Sequence, residues 1–239
     1  MPAGQTRWWW IRHAPVPDGG RIYGQSDLDC DCTDAEIFAV LARELPPDAV
    51  WLTSNLARTH QTAAAILAAA KDGRHGGVAP LAIPQFAEQH LGDWQGQERK
   101  PFYAARKVGT HTLWFAPAHE RPPGGESFAD LIERVHPVIT RLNAEHRGRD
   151  IVAVTHGGTI RAALALALGL DPQAALGFLV ENCSLTRLDY LCPDGAAGLW
   201  RVAAVNHRPW SKSVQLDAVG NPVAMGERER GQNSVDPAA

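Results

Sequence analysis

The chain has 239 residues, 45% hydrophobic and 21% charged, which is ordinary for a soluble globular protein and enough to bury a sizeable core. A formal net charge of −3 carries no nucleic-acid or membrane footprint, though a net value averages over the surface and leaves room for a local cationic pocket. Cys30, Cys32, Cys183 and Cys192 match no zinc spacing, because Cys-Asp-Cys is tighter than the usual two-residue gap, and they read as free thiols of a reducing cytosol.

The apolar run Trp8–Ile11 predicts a first strand. It is too short for a signal-peptide core or a membrane span, so a cytoplasmic location is expected. Asp34–Leu45 then predicts a helix, Val50–Thr53 a second strand, and Leu56 to about Lys71 a second helix. Val78–Ile83 is the candidate third strand, and the polar, aromatic stretch from Gln97 to Trp114 a small helical insertion. Ser127–His146 predicts a long helix with a kink expected at Pro137. Ile151–Thr155 has the composition of a buried strand, and Thr159–Leu168 that of the helix after it. Cys183–Leu191 and Leu199–Val205 close the pattern as two strands joined by the turn Pro193-Asp194-Gly195. Strands alternating with helices imply a three-layer α/β/α fold with a largely parallel central sheet, the closing pair adding antiparallel character. One domain over residues 1–225 is expected, with a cap insertion at about 97–122 and a flexible tail over 226–239.

Four segments carry chemistry. Strand one ends in Arg12-His13, and ligands of α/β sheets bind outside the carboxyl ends of strands, although an isolated Arg-His pair is more often a surface pair. The run Ile151–Thr155 ends in His156-Gly157-Gly158 at a helix start. Glycines there let the backbone approach a ligand, and a helix N-terminus offers unpaired N–H groups to an anion. The plainer reading is a strand-to-helix turn with an incidental His. In Ser54-Asn55-Leu56-Ala57-Arg58, Ser54 is a plausible N-cap and Arg58 falls in the first turn, where a solvated helix charge is the common alternative. Phe86 through Gly96 fits no periodicity and predicts a structured loop, in which Glu88 is either an acid/base or a surface charge.

Together these segments resemble the histidine phosphatase (phosphoglycerate mutase-like) superfamily. Arg12-His13-Ala14 is similar to its Arg-His-Gly motif, Ser54 through Ala63 to its Ser-x-Leu-x-Arg-x-x-Gln-Thr-Ala motif, and Glu88 through Gly96 to its Glu-x-x-x-Gly-x-Trp-x-Gly motif. Thr155-His156-Gly157-Gly158, followed by Ile160-Arg161, resembles its second-histidine motif, and Gly124-Gly125-Glu126-Ser127 its Gly-Glu-Ser loop. The matches keep family order and cover about residues 7–207. Three positions depart from the pattern. Ala14-Pro15 replaces Gly followed by Glu or Gln, Pro17-Asp18-Gly19-Gly20 stands where many relatives place a phosphate-contacting Asn, and Glu36 lies near an expected helix Gly.

The resemblance implies a phosphohistidine intermediate on His13, with Arg12, Arg58, His156 and Gly157 as phosphate-binding groups. The residue types agree. An imidazole attacks phosphorus when one nitrogen is unprotonated and the other pinned as a donor. Arg12, Arg58 and a charged or donating His156 would keep His13 neutral and stabilise the equatorial oxygens. Glu88 is the expected general acid and then base, with its pKa raised by its site. No metal and no cofactor is expected, since the motifs lack the spacings of a His/Glu metal hydrolase. The partner is a small phosphomonoester rather than nucleic acid or membrane, and a homodimer is left open. Only Gln97–Pro122 separates the acid loop from the Gly-Glu-Ser loop, where mutases carry a longer insertion, so a phosphatase is favoured over mutase-type phosphoryl transfer or a non-catalytic phosphate-ligand binder. Gly20 through Asp27 resembles α-ribazole phosphatase-like members, and Trp114 and Phe115 are expected to cap the pocket.

Overall fold

The structure, a computed structural model, describes residues 4–70, 73–106, 114–192 and 198–210. The turn read at Pro193-Asp194-Gly195, the tail, Lys71 and the middle of the insertion lie outside the described residues. The chain runs through β1 (Gln5–Arg12), α1 (Ala35–Glu44), β2 (Val50–Thr53), α2 (Ala57–Ala68) and β3 (Leu81–Ala82). Short 3-10 turns at Pro84–Phe86 and Gly92–Trp94 precede α3 (Arg99–Ala105), α4 (Phe128–Glu145), β4 (Asp150–Thr155) and α5 (Gly157–Leu168). The last elements are α6 (Pro172–Ala175), β5 (Leu185–Leu191) and β6 (Leu199–His207). No helix among the described residues is long and apolar enough to cross a membrane.

The strands form one six-stranded sheet in the order β3-β2-β4-β1-β5-β6. Strands β3, β2, β4 and β1 pair in parallel, while β5 runs antiparallel to both β1 and β6. Side chains alternate between two cores. Trp8, Trp10, Leu52, Ile151 and Ala153 pack with α4, α5 and α6 on one face. Ile11, Trp51, Val152 and Val154 pack with α1 and α2 on the other. A period of two with both faces covered is why these strands read as continuous apolar runs. It also sends Trp8 and Trp10 to the same side, where they stack with ring centroids 4.7 Å apart and meet Phe86 edge-on.

Some sequence boundaries move. The third strand shrinks from Val78–Ile83 to Leu81–Ala82, because Val78 N–H closes a turn onto His75 and Pro80 has no N–H to give the ladder. Helix α5 starts at Gly157 rather than Thr159, and β5 at Leu185 rather than Cys183, whose φ of +61° places it in a turn. Helix α4 continues through Pro137, and its start is fixed by a capping box between Ser127 and Asp130.

Candidate active site

Strand register builds the site. Arg12 at the end of β1 pairs with Thr155 at the end of β4, and Thr53 at the end of β2 pairs with Val154. The next residue on each strand is His13, His156 and Ser54, so these emerge side by side at the carboxyl edge of three adjacent strands. The loop before β5 clamps the turn after β1: Cys183 N–H donates to Arg12 O (2.9 Å), and Asn182 Nδ2 donates to His13 O (2.8 Å).

His13 is 1% exposed. Its Nδ1 lies 2.7 Å from the carbonyl oxygen of Ala14. A carbonyl only accepts, so Nδ1 carries the proton and the neutral ring keeps its lone pair on Nε2. Burial first, then Arg58 and Arg12, push the His13 pKa well below its ordinary 6.5. The replacement Ala14-Pro15 keeps this function, because the pinning group is a backbone carbonyl. Ala14 N–H is itself held by Thr62 Oγ1 at 2.8 Å.

His156 faces His13 with ring centroids 5.2 Å apart. The idea of a charged His156 is corrected here. Arg58 Nε donates to His156 Nδ1 (3.3 Å), which must therefore be an acceptor, and burial followed by Arg58 and His13 drives the His156 pKa well below 6.5. The neutral ring then donates its Nε2–H to Ser54 Oγ at 2.7 Å. This contact also corrects the reading of Ser54 as the N-cap of α2. The cap position is Leu56, and the Ser54 hydroxyl accepts from Leu56 N–H and from the imidazole.

The arginines differ in their commitments. Arg12 is 4% exposed. Its Nη1 donates to Val180 O (2.6 Å), while Nε and Nη2 are buried with no partner among the described residues. A buried guanidinium edge with two idle nitrogens is costly unless an anion completes it, and it has the fork geometry for a phosphoryl group. Arg58 is fully buried and tied at three nitrogens, to His156, Ser26 O and Gly24 O. Its Cζ also lies 5.1 Å from the Tyr23 ring centroid. The Gly20–Asp27 stretch therefore serves as the seat of Arg58, and Gly24 permits the approach with a φ of +44° and no room for a Cβ against Gln95 and Gln89. The missing loop Asn is replaced by different architecture: Asp18 holds Gly20 N–H and pairs with Arg99 of α3.

Glu88 reaches the start of α5. Its Oε1 accepts from Gly158 N–H (3.1 Å) and from Gln89 N–H (2.9 Å). A Cβ at Gly158 would sit 2.2 Å from Glu88 Oε1, so the glycine is what lets the carboxylate dock on this N–H. Gly157, the first residue of α5, is buried beside it and contributes one of the N–H groups a helix leaves unpaired. The Gly-Glu-Ser loop holds the acid loop in place. Glu126 Oε1 accepts from His90 N–H, and Arg134, paired with Glu126, donates to the carbonyls of Gln85, Ala87 and Glu88.

Every residue singled out from sequence, namely Arg12, His13, Arg58, Glu88, His156 and Gly157, thus converges on one edge of the sheet. Sequence reasoning missed Asn182, the hydroxyl of Ser54 and the cation Arg161. The last was visible only as the Arg trailing the second histidine. Arg161 is 3% exposed, donates from Nε to Phe178 O (2.9 Å), and has Trp114 over its guanidinium at 4.4 Å.

The sequence and the fold are shared with known proteins. The curated glucosyl-3-phosphoglycerate phosphatase of Mycobacterium tuberculosis is 32% identical over 218 residues, covering 84% of this chain and 91% of its own. A solved structure called mycobacterial hydrolase 2 superposes with a TM-score of 0.73 at 26% identity, over 88% of this chain and 94% of its own. A putative α-ribazole-5′-P phosphatase of Escherichia coli gives a TM-score of 0.64 at 25% identity, over 85% and 97%. The family profile described as histidine phosphatase superfamily (branch 1) matches residues 4–206, and the chain belongs to that superfamily as a phosphatase.

Proposed function

We propose that the protein hydrolyses small phosphomonoesters in two steps through a phosphohistidine on His13, without a metal. The observation that carries this is the pinned, neutral imidazole: Nδ1–H is fixed on Ala14 O, so the lone pair of Nε2 is left for phosphorus, next to the idle Nε and Nη2 of Arg12. In the first step Nε2 bonds to phosphorus, the ester oxygen leaves, and Glu88 gives that oxygen its proton. In the second, water bonds to phosphorus, Glu88 takes the proton of that water, and the N–P bond breaks to release phosphate. Arg12 and the Gly157 N–H group donate to the equatorial oxygens and the Arg58 guanidinium stabilises their charge throughout, while His156 joins them only by turning its Nε2–H from Ser54 to the phosphoryl group.

The preferred substrates are phosphorylated metabolites. The Gly20–Asp27 stretch and the likeness to the E. coli structure keep α-ribazole 5′-phosphate on the test panel, beside the glucosyl-3-phosphoglycerate named for the M. tuberculosis relative. The test is a rapid quench of wild-type protein turning over radiolabelled substrate in EDTA. Acid-labile, base-stable label on His13 is expected, with turnover undiminished by the chelator. Label on Ser, Asp or Cys, or activity lost to EDTA and restored by zinc or magnesium, would refute the mechanism.

A further inference from the structure

Two of the cysteines stand behind the nucleophile and touch each other. Residues 26–34 form neither helix nor strand. Within them Cys30 Sγ lies 3.5 Å from Cys32 Sγ, which is van der Waals contact between sulfurs. Both residues are partly exposed, whereas Cys183 is buried.

The Cys30 thiol is one link in the support of the site. It donates to Arg58 O (3.3 Å) and lies 3.5 Å from Thr62 Oγ1. Thr62 Oγ1 also donates to Arg58 O (2.7 Å) and accepts from Ala14 N–H (2.8 Å), and Ala14 O pins the His13 ring. The main chain makes two further ties. Asp31 N–H donates to Pro15 O (2.7 Å), directly after the pinning residue, and Cys30 N–H to Gln61 Oε1 (2.9 Å) on α2. The Cys30-Asp31-Cys32 segment thus joins the loop after the nucleophile to the helix that carries Arg58.

The chemistry of the pair has a direction. Cys30 S–H points to Arg58 O, so the hydrogen between the sulfurs belongs to Cys32. Burial first, then the hydrogen bond to Cys30 and the charges of Cys30 and Asp31, push the Cys32 thiol up to about 12. Cys32 therefore keeps its proton at neutral pH, and the sulfur that reacts first is Cys30. The hold of the Cys30 thiol on that proton disappears once Cys30 is oxidised. Hydrogen peroxide is small enough to reach a partly exposed thiol. The Cys30 thiolate attacks one peroxide oxygen, the O–O bond breaks, and Cys30 becomes a sulfenic acid with release of water. Cys32 Sγ then bonds to Cys30 Sγ, the S–O bond breaks, and the hydroxyl leaves as water with the Cys32 proton. Each sulfur has given up one electron, and the peroxide is reduced to two waters.

We infer that Cys30 and Cys32 form an oxidation site, where a peroxide converts the pair into a disulfide that slows the chemistry on the far side of Thr62. The sulfurs must close from 3.5 Å to about 2.05 Å. That draws Cys30 Sγ off Arg58 O and Thr62 and turns the Asp31 peptide that holds Pro15 O. The ring closed by this bridge spans a single intervening residue, so it is strained and easily reduced, a reversible mark rather than a structural cross-link. Its effect on turnover rests on the phosphohydrolase reading above, while the bridge itself is read by mass alone.

The experiment treats the reduced full-length protein with a small excess of hydrogen peroxide at neutral pH. Intact mass and a peptide map locate the product. Turnover of p-nitrophenyl phosphate is followed before peroxide, after it, and after dithiothreitol. A loss of about 2 Da assigned to a Cys30–Cys32 bridge is expected. The kcat should fall about 10-fold with KM within about 2-fold, the mark of a displaced nucleophile rather than of lost binding. Dithiothreitol should restore it. Cys32→Ser should match wild-type turnover before peroxide, and peroxide should then add oxygen to Cys30 instead of removing hydrogen. Cys192→Ser should behave as wild type in both measurements. Cys30 and Cys32 left as thiols at peroxide doses that oxidise Cys192 would overturn the site. A bridge from either sulfur to Cys183 would overturn the pairing, and a Cys30–Cys32 bridge with unchanged turnover would overturn its effect. Reduced protein that turns over no phosphomonoester would instead sink the phosphohydrolase reading, and the mass would still decide the bridge.

Discussion

The strand-end site and the insertion that follows the acid loop are built from different material. At the strand ends, His13, His156, Arg58 and Ser54 are essentially sealed from water and held by backbone carbonyls and each other. In the insertion, α3 has no buried residue, and the rings of Phe102, Tyr103 and Phe115 pack on one another and on Ile22, Leu91, Trp94 and Ala116, with Arg106 laid over Trp94 and Phe102. The first half hangs from hydrogen-bonded register that a whole sheet enforces. The second hangs from apolar contact that tolerates exchange of one ring for another. Chemistry placed on the former stays fixed, while the latter can be re-cut to suit a substrate.

The sharpest way to break this division is to remove the nucleophile. His13→Ala should lower turnover by at least about 10⁴-fold, as loss of a covalent nucleophile does elsewhere. The fold should survive, because the ring adds no apolar core and its one bond goes to the neighbouring Ala14 carbonyl. Circular dichroism and a thermal melt check the fold, and a phosphate-release assay checks the loss. A variant with a tenth of wild-type activity would place the nucleophile elsewhere.

Glu88 comes next. Glu88→Gln keeps the shape and removes the acid, so alkyl phosphates should lose about 10²–10⁴-fold in the phosphorylation step, and p-nitrophenyl phosphate much less because its phenolate leaves unaided. Gly158→Ala attacks the same group by geometry. The new Cβ meets Glu88 Oε1 at 2.2 Å and Leu131 Cδ1 at 3.0 Å, so the carboxylate must move. A loss of about 10–100-fold with the same dependence on leaving group is expected. Single-turnover kinetics of both esters measure it. Equal losses on the two esters would remove Glu88 from the acid role.

How much of this the sequence showed depends on what kind of feature it was. His13, Arg58, Glu88 and His156 stood in ordered motifs at strand ends and helix starts, so their convergence could be read. The neutrality of His156 could not, since it follows from Arg58 Nε donating to Nδ1, a contact across 98 residues. Ser54 looked like a cap for the same reason: local sequence shows a hydroxyl before a helix, while its stronger partner is brought by a different strand. The third strand misled because Val78–Ile83 has strand composition, yet Pro80 and the turn at His75 leave it only an edge pairing. The burial of Arg161 is not legible in the sequence, because an Arg within a helix is usually solvated and only packing reveals that this one is not.

The buried histidines predict a pH dependence of stability. His13 and His156 are both held neutral with pKa values well below 6.5, burial being the larger cause and Arg58 the next. In the unfolded chain they bind protons as the pH falls through 6.5, while in the folded protein they do not until far lower. Their contribution is thus fully present above pH 6.5 and lost as the pH falls below it. The slope is about 1.4 kcal/mol per pH unit for each, so the pair changes the folding constant about 100-fold per unit. Denaturant titrations at pH 7.0 and 5.5 measure this. His13→Ala should remove about half of the slope, and an unchanged slope would mean that His13 is protonated in the native state.

The smallest effect tests the cap. Trp114 lies over Arg161 at 4.4 Å and against Phe115 at 5.2 Å. Trp114→Ala removes the indole roof and lets water reach the guanidinium, which weakens the pull of that cation on an anionic substrate. The expected result is a rise in KM of about 10-fold with kcat within about 2-fold, the signature of lost binding shared by ground and transition states. Trp114→Phe should recover most of it, because the ring face is what the guanidinium needs. Steady-state kinetics on O-phosphoserine and p-nitrophenyl phosphate separate the two halves of the site: the Trp114 change should register in KM on both, whereas loss of His13 registers in kcat. If instead kcat fell 100-fold on both, Trp114 would be holding Arg12 or Glu88 in place, and the division between a fixed chemical half and an exchangeable recognition half would fail at that residue.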